Sequence, residues 1–334
     1  MLFQPHIAVI GAGISGSVLT SLLLSHGFRV SVFDKSRGTG GRASSCRMGE
    51  YQADLGVPYF EALSGPFEKW LLSQPEIMGW QAKEYGFDKK VHIHKNHYVA
   101  TPKQSALTRR LIQGADFIPQ QRVGYLWPEY NGSDKSVILR NEHGKSLGLF
   151  DAAIVTTPAY QAAELLEAVP RFVNKANHAK PSMCWVHVIA IESGISDSIE
   201  LISGQHAVIS RAIKDSAKPN RSHSVDSEVW VIEATEDWSA SHCHSEPEAI
   251  AIELQQAFSE VLNAEITVLA ERTHRWLYAR HNTTEDECLW DPDSSIGACG
   301  DWLHRGGSEG AWASANQMAE CLIAHFRAQE AFAS

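Results

Sequence analysis

The 334-residue sequence predicts an α/β fold of two domains, one a parallel-sheet domain built from several separated segments and the other mixed and mainly antiparallel. Three observations predict this. A glycine-rich turn stands between a strand pattern and a helix pattern near the N-terminus. A second β-rich run follows it and ends on an acid. The middle of the chain then alternates in the manner of strands, with one long helical stretch among them. At about 150 residues per domain the length suits two. The expected division is 1–75, 104–162 and 277–334 for the first domain, and 76–103 and 163–276 for the second.

The opening strand is Ile7-Ala8-Val9-Ile10, followed by Gly11-Ala12-Gly13-Ile14-Ser15-Gly16 and a helix with Val18, Leu19, Leu22 and Leu23 on one face and Gly27 as its stop. Phe28 to Asp34 is the next strand, and Asp34 lies 18 residues after Gly16. This is the Rossmann βαβ fingerprint. Gly11 permits the tight turn, Gly13 lets backbone approach a pyrophosphate, and Gly16 lets the helix sit close to the sheet. The helix N-terminus, with Ile14 and Ser15 in its first turn, offers unpaired N–H groups to phosphates. Asp34 can accept hydrogen bonds from ribose hydroxyls and repels a 2′-phosphate.

A second glycine-rich loop, Lys35-Ser36-Arg37-Gly38-Thr39-Gly40-Gly41-Arg42, comes directly after the ribose acid. A nicotinamide dehydrogenase has no use for it. Extra backbone donors at Gly41, together with Lys35, Arg37 and Arg42, point to a larger dinucleotide, FAD. Near the C-terminus, Ile296 to Asp301 reads as a buried strand ending on an acid. Gly306 to Ala311 leads into a last helix, with Ser308 as its expected N-cap. The helix N-terminus around Glu309, Gly310 and Ala311 would stabilise negative charge on a reduced flavin, and Asp301 would accept from ribitol hydroxyls.

The formal net charge is −10, and the acids are scattered, which argues against a nucleic acid as partner. Six cysteines with neither CxxC nor zinc-like spacing read as reduced thiols and a cytoplasmic location. No stretch suggests a signal peptide or membrane span. No metal is expected: His92, His94 and His97, in a hairpin expected around Lys95-Asn96, read as a strand face, and His242 and His244 as part of a polar connection. Between the ends, strands are expected at 117–123, 151–157, 184–192, 201–209, 228–235 and 266–276, and a helix at 246–262.

The fingerprint, the run from Phe33 to Arg42, Asp54-Leu55-Gly56-Val57-Pro58-Tyr59-Phe60, His274 to Arg280, Cys299-Gly300-Asp301-Trp302 and Glu309-Gly310-Ala311-Trp312 together resemble the FAD-containing amine-oxidase superfamily and, within it, the bacterial renalases. The resemblance implies a para-hydroxybenzoate-hydroxylase-like fold and non-covalent FAD, with an adenine contact at Val123. It further implies oxidation of the 2- and 6-dihydro isomers of NAD(P)H to NAD(P)+, by hydride transfer to the flavin and reduction of oxygen to hydrogen peroxide. Tyr59, Trp276 and Trp302 are then the substrate-facing candidates. His274 is a fourth, with a structural hydrogen bond as its other reading. Val57-Pro58 replaces the family's more usual Ala-Gln, and no lysine matches the one many amine oxidases hold near the flavin. A flavin amine oxidase and a non-catalytic FAD-binding or sensing protein are the alternatives. Ten tryptophans are present, of which 185, 230, 276, 290, 302 and 312 fall in segments expected near the domain interface, where core or interface packing is the commoner role and stacking on a substrate the other.

Overall fold

The computed structural model describes residues 4–88, 90, 96–131, 134–194, 199–221 and 224–333. His92, His94 and most of the hairpin expected around Lys95 lie outside them. The chain forms two units, 1–41 with 108–181 and 280–334, and 42–107 with 182–279.

The first unit is built on a six-stranded sheet in the order Leu289–Asp291, Ile296–Ala298, Ala152–Val155, His6–Ile10, Arg29–Asp34, Asp116–Pro119. All neighbours are parallel except the first pair. Strands covered on both faces read as continuous apolar runs, and Ile7 to Ile10 and Ala152 to Val155 are buried throughout. The crossover helix Ile14–Ser25 ends where Gly27, at φ 84°, turns the chain so that Phe28 N–H bonds the Leu23 carbonyl. The C-terminal helix Gly307–Ala333 packs along it, with Phe28 edge-on to Phe326 at 5.7 Å. A three-stranded antiparallel sheet (Val123–Asn131, Asp134–Asn141, Ser146–Phe150) and the helices Ala159–Leu165 and Pro170–His178 complete this unit. Phe172, Ala176 and Ala179 share its core with Ala8, Ile10 and Trp302, so 163–181 belongs here and not, as expected, with the second domain.

The second unit carries a six-stranded sheet in the order Val268–His281, Pro181–Glu192, Ser227–Ala234, Ile209–Lys214, Leu201–Ser203, Glu84–Gly86. Helix Pro247–Leu262 covers one face through Ile250, Leu254 and Phe258, spaced four apart so that they form one stripe, which meets Trp230 and Ile232. The other face meets the two-stranded pair Ser45–Met48 and Tyr51–Asp54, whose Cys46, Met48 and Ala53 pack on Val186, Val188 and Val231. That contact draws residues 42–75 into this unit, whereas the sequence reading gave them to the nucleotide domain. Two expected strands are each split. Gln120, at φ 57°, separates Asp116–Pro119 from Val123–Asn131, and Gly204, at φ 129°, ends Leu201–Ser203 before Ile209.

His187 sits fully enclosed between this sheet and its helix, with Nδ1 paired to Thr273 Oγ1 at 3.0 Å and Nε2 3.1 Å from Gln255 Nε2. Burial pushes its imidazole down to about 4. An unfolded chain protonates this histidine near pH 6.5 and the folded one does not. The stability it contributes is therefore complete above pH 6.5 and is lost as pH falls toward 4, up to about 3 kcal/mol. Glu271, 3.6 Å from Nε2, offsets part of this once the ring is charged. Thermal unfolding between pH 7.5 and 5 should show the loss, and His187→Gln should flatten the profile.

Candidate functional site

In the first unit the glycine turn joins strand His6–Ile10 to helix Ile14–Ser25. Gly13 is the N-cap, and no side chain caps the helix. The first turn holds no acid, so its amides and the positive end of the dipole are left for an anion. A Cβ on Gly16 would stand 2.0 Å from the Gly11 carbonyl oxygen, which is why the helix can approach the turn only without one. Gly11 itself has φ 115°. Beside Gly13 a Cβ would meet nothing within 4 Å, so the space in front of it is open.

Asp34 closes the second strand with its carboxylate fixed from two sides. Ala12 N–H donates to Oδ2 at 2.7 Å and Ser36 N–H to Oδ1 at 2.7 Å. Both oxygens keep a lone pair for ribose hydroxyls. The segment before Val123 runs alongside, since Gln121 N–H bonds the Asp34 carbonyl and Gln120 N–H that of Ser36. Val123, two residues after Gln121, is buried. The second glycine loop folds back on the first. Gly40 N–H donates to Ala12 O at 2.8 Å, a Cβ on Gly41 would come 3.4 Å from Gly13 Cα, and Thr39 Oγ1 accepts from Thr108 Oγ1. Lys35 and Arg37 project into solvent on this loop. Arg42, the last residue of the second glycine loop, opens the second unit, and its Nη1 donates to the Ala279 carbonyl at 3.1 Å.

At the carboxyl end of the same sheet, Asp301 is buried in a 3-10 turn, 3.9 Å from His281. Helix Gly307–Ala333 begins one residue before Ser308, which therefore sits in the first turn instead of capping it; Gly306 and Gly307, at φ 79° and 62°, make the entry. Glu309, Gly310 and Ala311 lie in that first turn, with Glu309 and Ala311 buried. Close by in the chain trace, Trp302 Nε1 donates to Thr157 O at 3.2 Å, while the buried Thr157 hydroxyl has no hydrogen-bond partner. An enclosed hydroxyl of that kind is costly unless a ligand or water completes it. An open helix terminus, an oriented acid, two interlocked glycine loops and an unsatisfied hydroxyl all fit a bound dinucleotide. A dinucleotide would be held by Gly11 to Gly16, Asp34 and the Gly40-Gly41 loop, with Asp301 and the helix start at Glu309 available for further contacts.

The four substrate-facing candidates divide. Trp302 is fully enclosed in the core of the first unit. Tyr59 is buried in the second, its ring 4.0 Å from that of His97 and 6.2 Å from Trp80, and its hydroxyl accepts from Arg211 Nη1 at 3.3 Å. Both are enclosed side chains whose polar atoms are engaged by the protein. Trp276 and His274 are half-buried on strand Val268–His281 and meet edge-on at 4.4 Å. Trp276 is aimed by its Nε1 bond to Leu55 O at 3.0 Å and by the bare face of Gly56. Burial and the Arg272 charge lower the His274 pKa, so its ring is neutral near pH 7. Of the other tryptophans singled out, 185 and 230 lie inside the second unit's core.

Sequence reasoning passed over Arg211, whose guanidinium pairs two-pronged with Glu233, Nε–Oε2 at 2.7 Å and Nη2–Oε1 at 3.1 Å, 5.3 Å above the Tyr59 ring. The signal was a charge in each of two apolar strands, Ile209-Ser210-Arg211-Ala212-Ile213 and Val231-Ile232-Glu233-Ala234. It also passed over Thr157. Among the described residues no cluster of histidine, cysteine or acid could hold a metal, and no helix is long and apolar enough to cross a membrane.

Comparison with known proteins bears on the nucleotide cradle first. Residues 9–71 match the NAD(P)-binding Rossmann-like domain family. The whole fold is similar to that of a protein from Exiguobacterium sp. 255-15 that carries the assignment protoporphyrinogen oxidase, with TM-score 0.73 and 9% identity over 96% of this chain and 99% of that one. It is also similar to a double mutant of putrescine oxidase made to redesign cofactor binding, with TM-score 0.71 and 11% identity over 96% and 99%. At these identities the likeness is one of fold. The likeness extends over both units of this chain and over nearly the whole of each of the other two, so the two-domain α/β fold is a shared one.

Proposed function

We propose that this protein is an FAD-dependent oxidase of the renalase type, oxidising 2- and 6-dihydro isomers of NAD(P)H to NAD(P)+ with oxygen as the acceptor. The FAD assignment is supported by the cradle: an uncapped helix terminus beside an acid already oriented for ribose, with a second glycine loop that a smaller dinucleotide does not require. The oxidase class is supported by the fold shared with the two oxidases. Bound FAD supplies the two-electron acceptor.

The observation that favours a dihydropyridine over an amine is the pair His274 and Trp276, the only two of the four candidates outside a core. A neutral imidazole and an indole offer no negative charge to a protonated amine. A dihydropyridine becomes aromatic on losing hydride and needs no base. It needs only a flat, apolar surface to lie against, which the indole, fixed by Leu55 and Gly56, can provide.

The test is anaerobic titration of the yellow protein with each dihydro isomer, with ordinary NADH and a panel of amines as controls, following the oxidised flavin absorbance. Rapid bleaching by the isomers alone is expected. Bleaching by an amine would favour the amine-oxidase reading, and bleaching by none of them a binding or sensing role.

A further inference from the structure

The six cysteines are all free thiols, and two of them meet: Cys288 Sγ lies 3.9 Å from Cys321 Sγ, 33 positions apart in sequence and within one unit. Each is partly exposed, whereas Cys46, Cys184 and Cys299 are enclosed. The geometry points to Cys288 and Cys321 as a modification site, a thiol pair that peroxide converts reversibly to a disulfide. Cys288 immediately precedes the edge strand Leu289–Asp291, and Cys321 lies midway along the C-terminal helix. The two sulfurs are already in contact, the first requirement for a bond between them.

Burial, reinforced by the neighbouring thiols, holds Cys288 as the protonated thiol well above the ordinary cysteine range. Either sulfur of the contacting pair can be oxidised first. Hydrogen peroxide converts one of the two thiols to a sulfenic acid and releases one water. The other thiol then attacks that sulfur, its proton leaves with the hydroxyl as a second water, and the S–S bond forms. Two thiols are oxidised by two electrons and one peroxide is reduced. The bond closes a loop containing Asp301 and Gly306 to Ala311, the C-terminal candidates for cofactor contact, and fastens the sheet edge to the helix. The chemistry does not depend on the proposed activity, although an oxidase would supply the oxidant itself.

The experiment treats the purified holoprotein with excess hydrogen peroxide, removes the peroxide, blocks residual thiols with an alkylating agent under denaturing conditions, and digests without reductant. Trypsin places Cys288 and Cys299 together in 281–305 and Cys321 in 306–327; cleavage before aspartates then separates Cys288 from Cys299. The expected product is a Cys288–Cys321 cross-link, 2 Da lighter than the dithiol and reversed by dithiothreitol, with Cys299 still alkylatable. Cys288→Ser and Cys321→Ser should each abolish it, and oxidation should raise the melting temperature of the wild type only. A cross-link through Cys299, over-oxidation of Cys321 without cross-linking, or unchanged thiols at 288 and 321 while Cys243 is oxidised would each overturn the proposal. Because the wild-type result is read directly, it stands even if a serine variant fails to fold.

Discussion

The Gly13→Val protein is expected to purify folded and nearly colourless. Gly13 has φ −76°, which any residue adopts, and a Cβ there meets no protein atom within 4 Å. The added side chain would instead fill the space in front of the helix terminus, where a pyrophosphate must come against backbone. A displaced phosphate contact should weaken flavin binding by about 3 kcal/mol or more, about two orders of magnitude. Flavin content per chain after gel filtration, read with circular dichroism and the melting temperature of the flavin-free protein, checks both halves. Gly16→Ala separates the two roles glycine plays here. Its Cβ would stand 2.0 Å from the Gly11 carbonyl, so backbone must move, and overpacking of this kind costs about 1–3 kcal/mol of stability, with or without ligand. A Gly13→Val protein that stayed fully yellow would mean that the pyrophosphate lies elsewhere.

Lys218→Met should destabilise the second unit by about 3–5 kcal/mol, because it leaves a buried carboxylate without its counter-ion. Lys218 lies 2% exposed between two enclosed acids, donating to Asp54 Oδ2 at 2.9 Å and to Asp215 Oδ1. Arg221 donates to the same Asp54 oxygen, so two cations balance two anions. Burial opposes the charge on Asp54, but Lys218, Arg221 and the Gln104 N–H outweigh it and hold its carboxyl below the usual range. Burial, with the Asp54 charge beside it, pushes Asp215 up. Urea unfolding followed by the fluorescence of the enclosed Trp185 and Trp230 reports on this unit directly. The double variant Lys218→Met/Asp215→Leu should recover part of the loss, since an apolar pair of similar volume removes the uncompensated charge. If the single variant unfolded at the wild-type midpoint, the cluster would be contributing no net pairing energy.

The nucleotide half was legible because its signals are local. Gly11, Gly13 and Gly16, the helix they open and Asp34 all fall within 24 residues, and each is dictated by backbone geometry that only a few residue types satisfy. The helix Pro247–Leu262 was equally plain from its four-residue apolar spacing. Where the reading departed, the cause was a partner distant in the chain. Residues 42–75 looked continuous with the glycine loops before them, yet Cys46, Met48 and Ala53 pack on Val186, Val188 and Val231, which are more than 130 positions away. Ser308 has the chemistry of a cap, but two left-handed glycines start the helix before it.

The sequence alone determined the βαβ unit, its acid and its open helix terminus, together with the division into a parallel and a mainly antiparallel sheet, because strand and helix periodicity and glycine conformational freedom are properties of short segments. Tertiary structure decided which aromatic residues are enclosed. Trp302 and Tyr59 became core, while Trp276 stayed half-open, because burial depends on what the fold brings opposite a side chain and not on the side chain itself. The same cause placed Cys288 against Cys321 and matched Arg211 with Glu233: contacts between segments far apart in sequence exist only once the sheet and its register have formed.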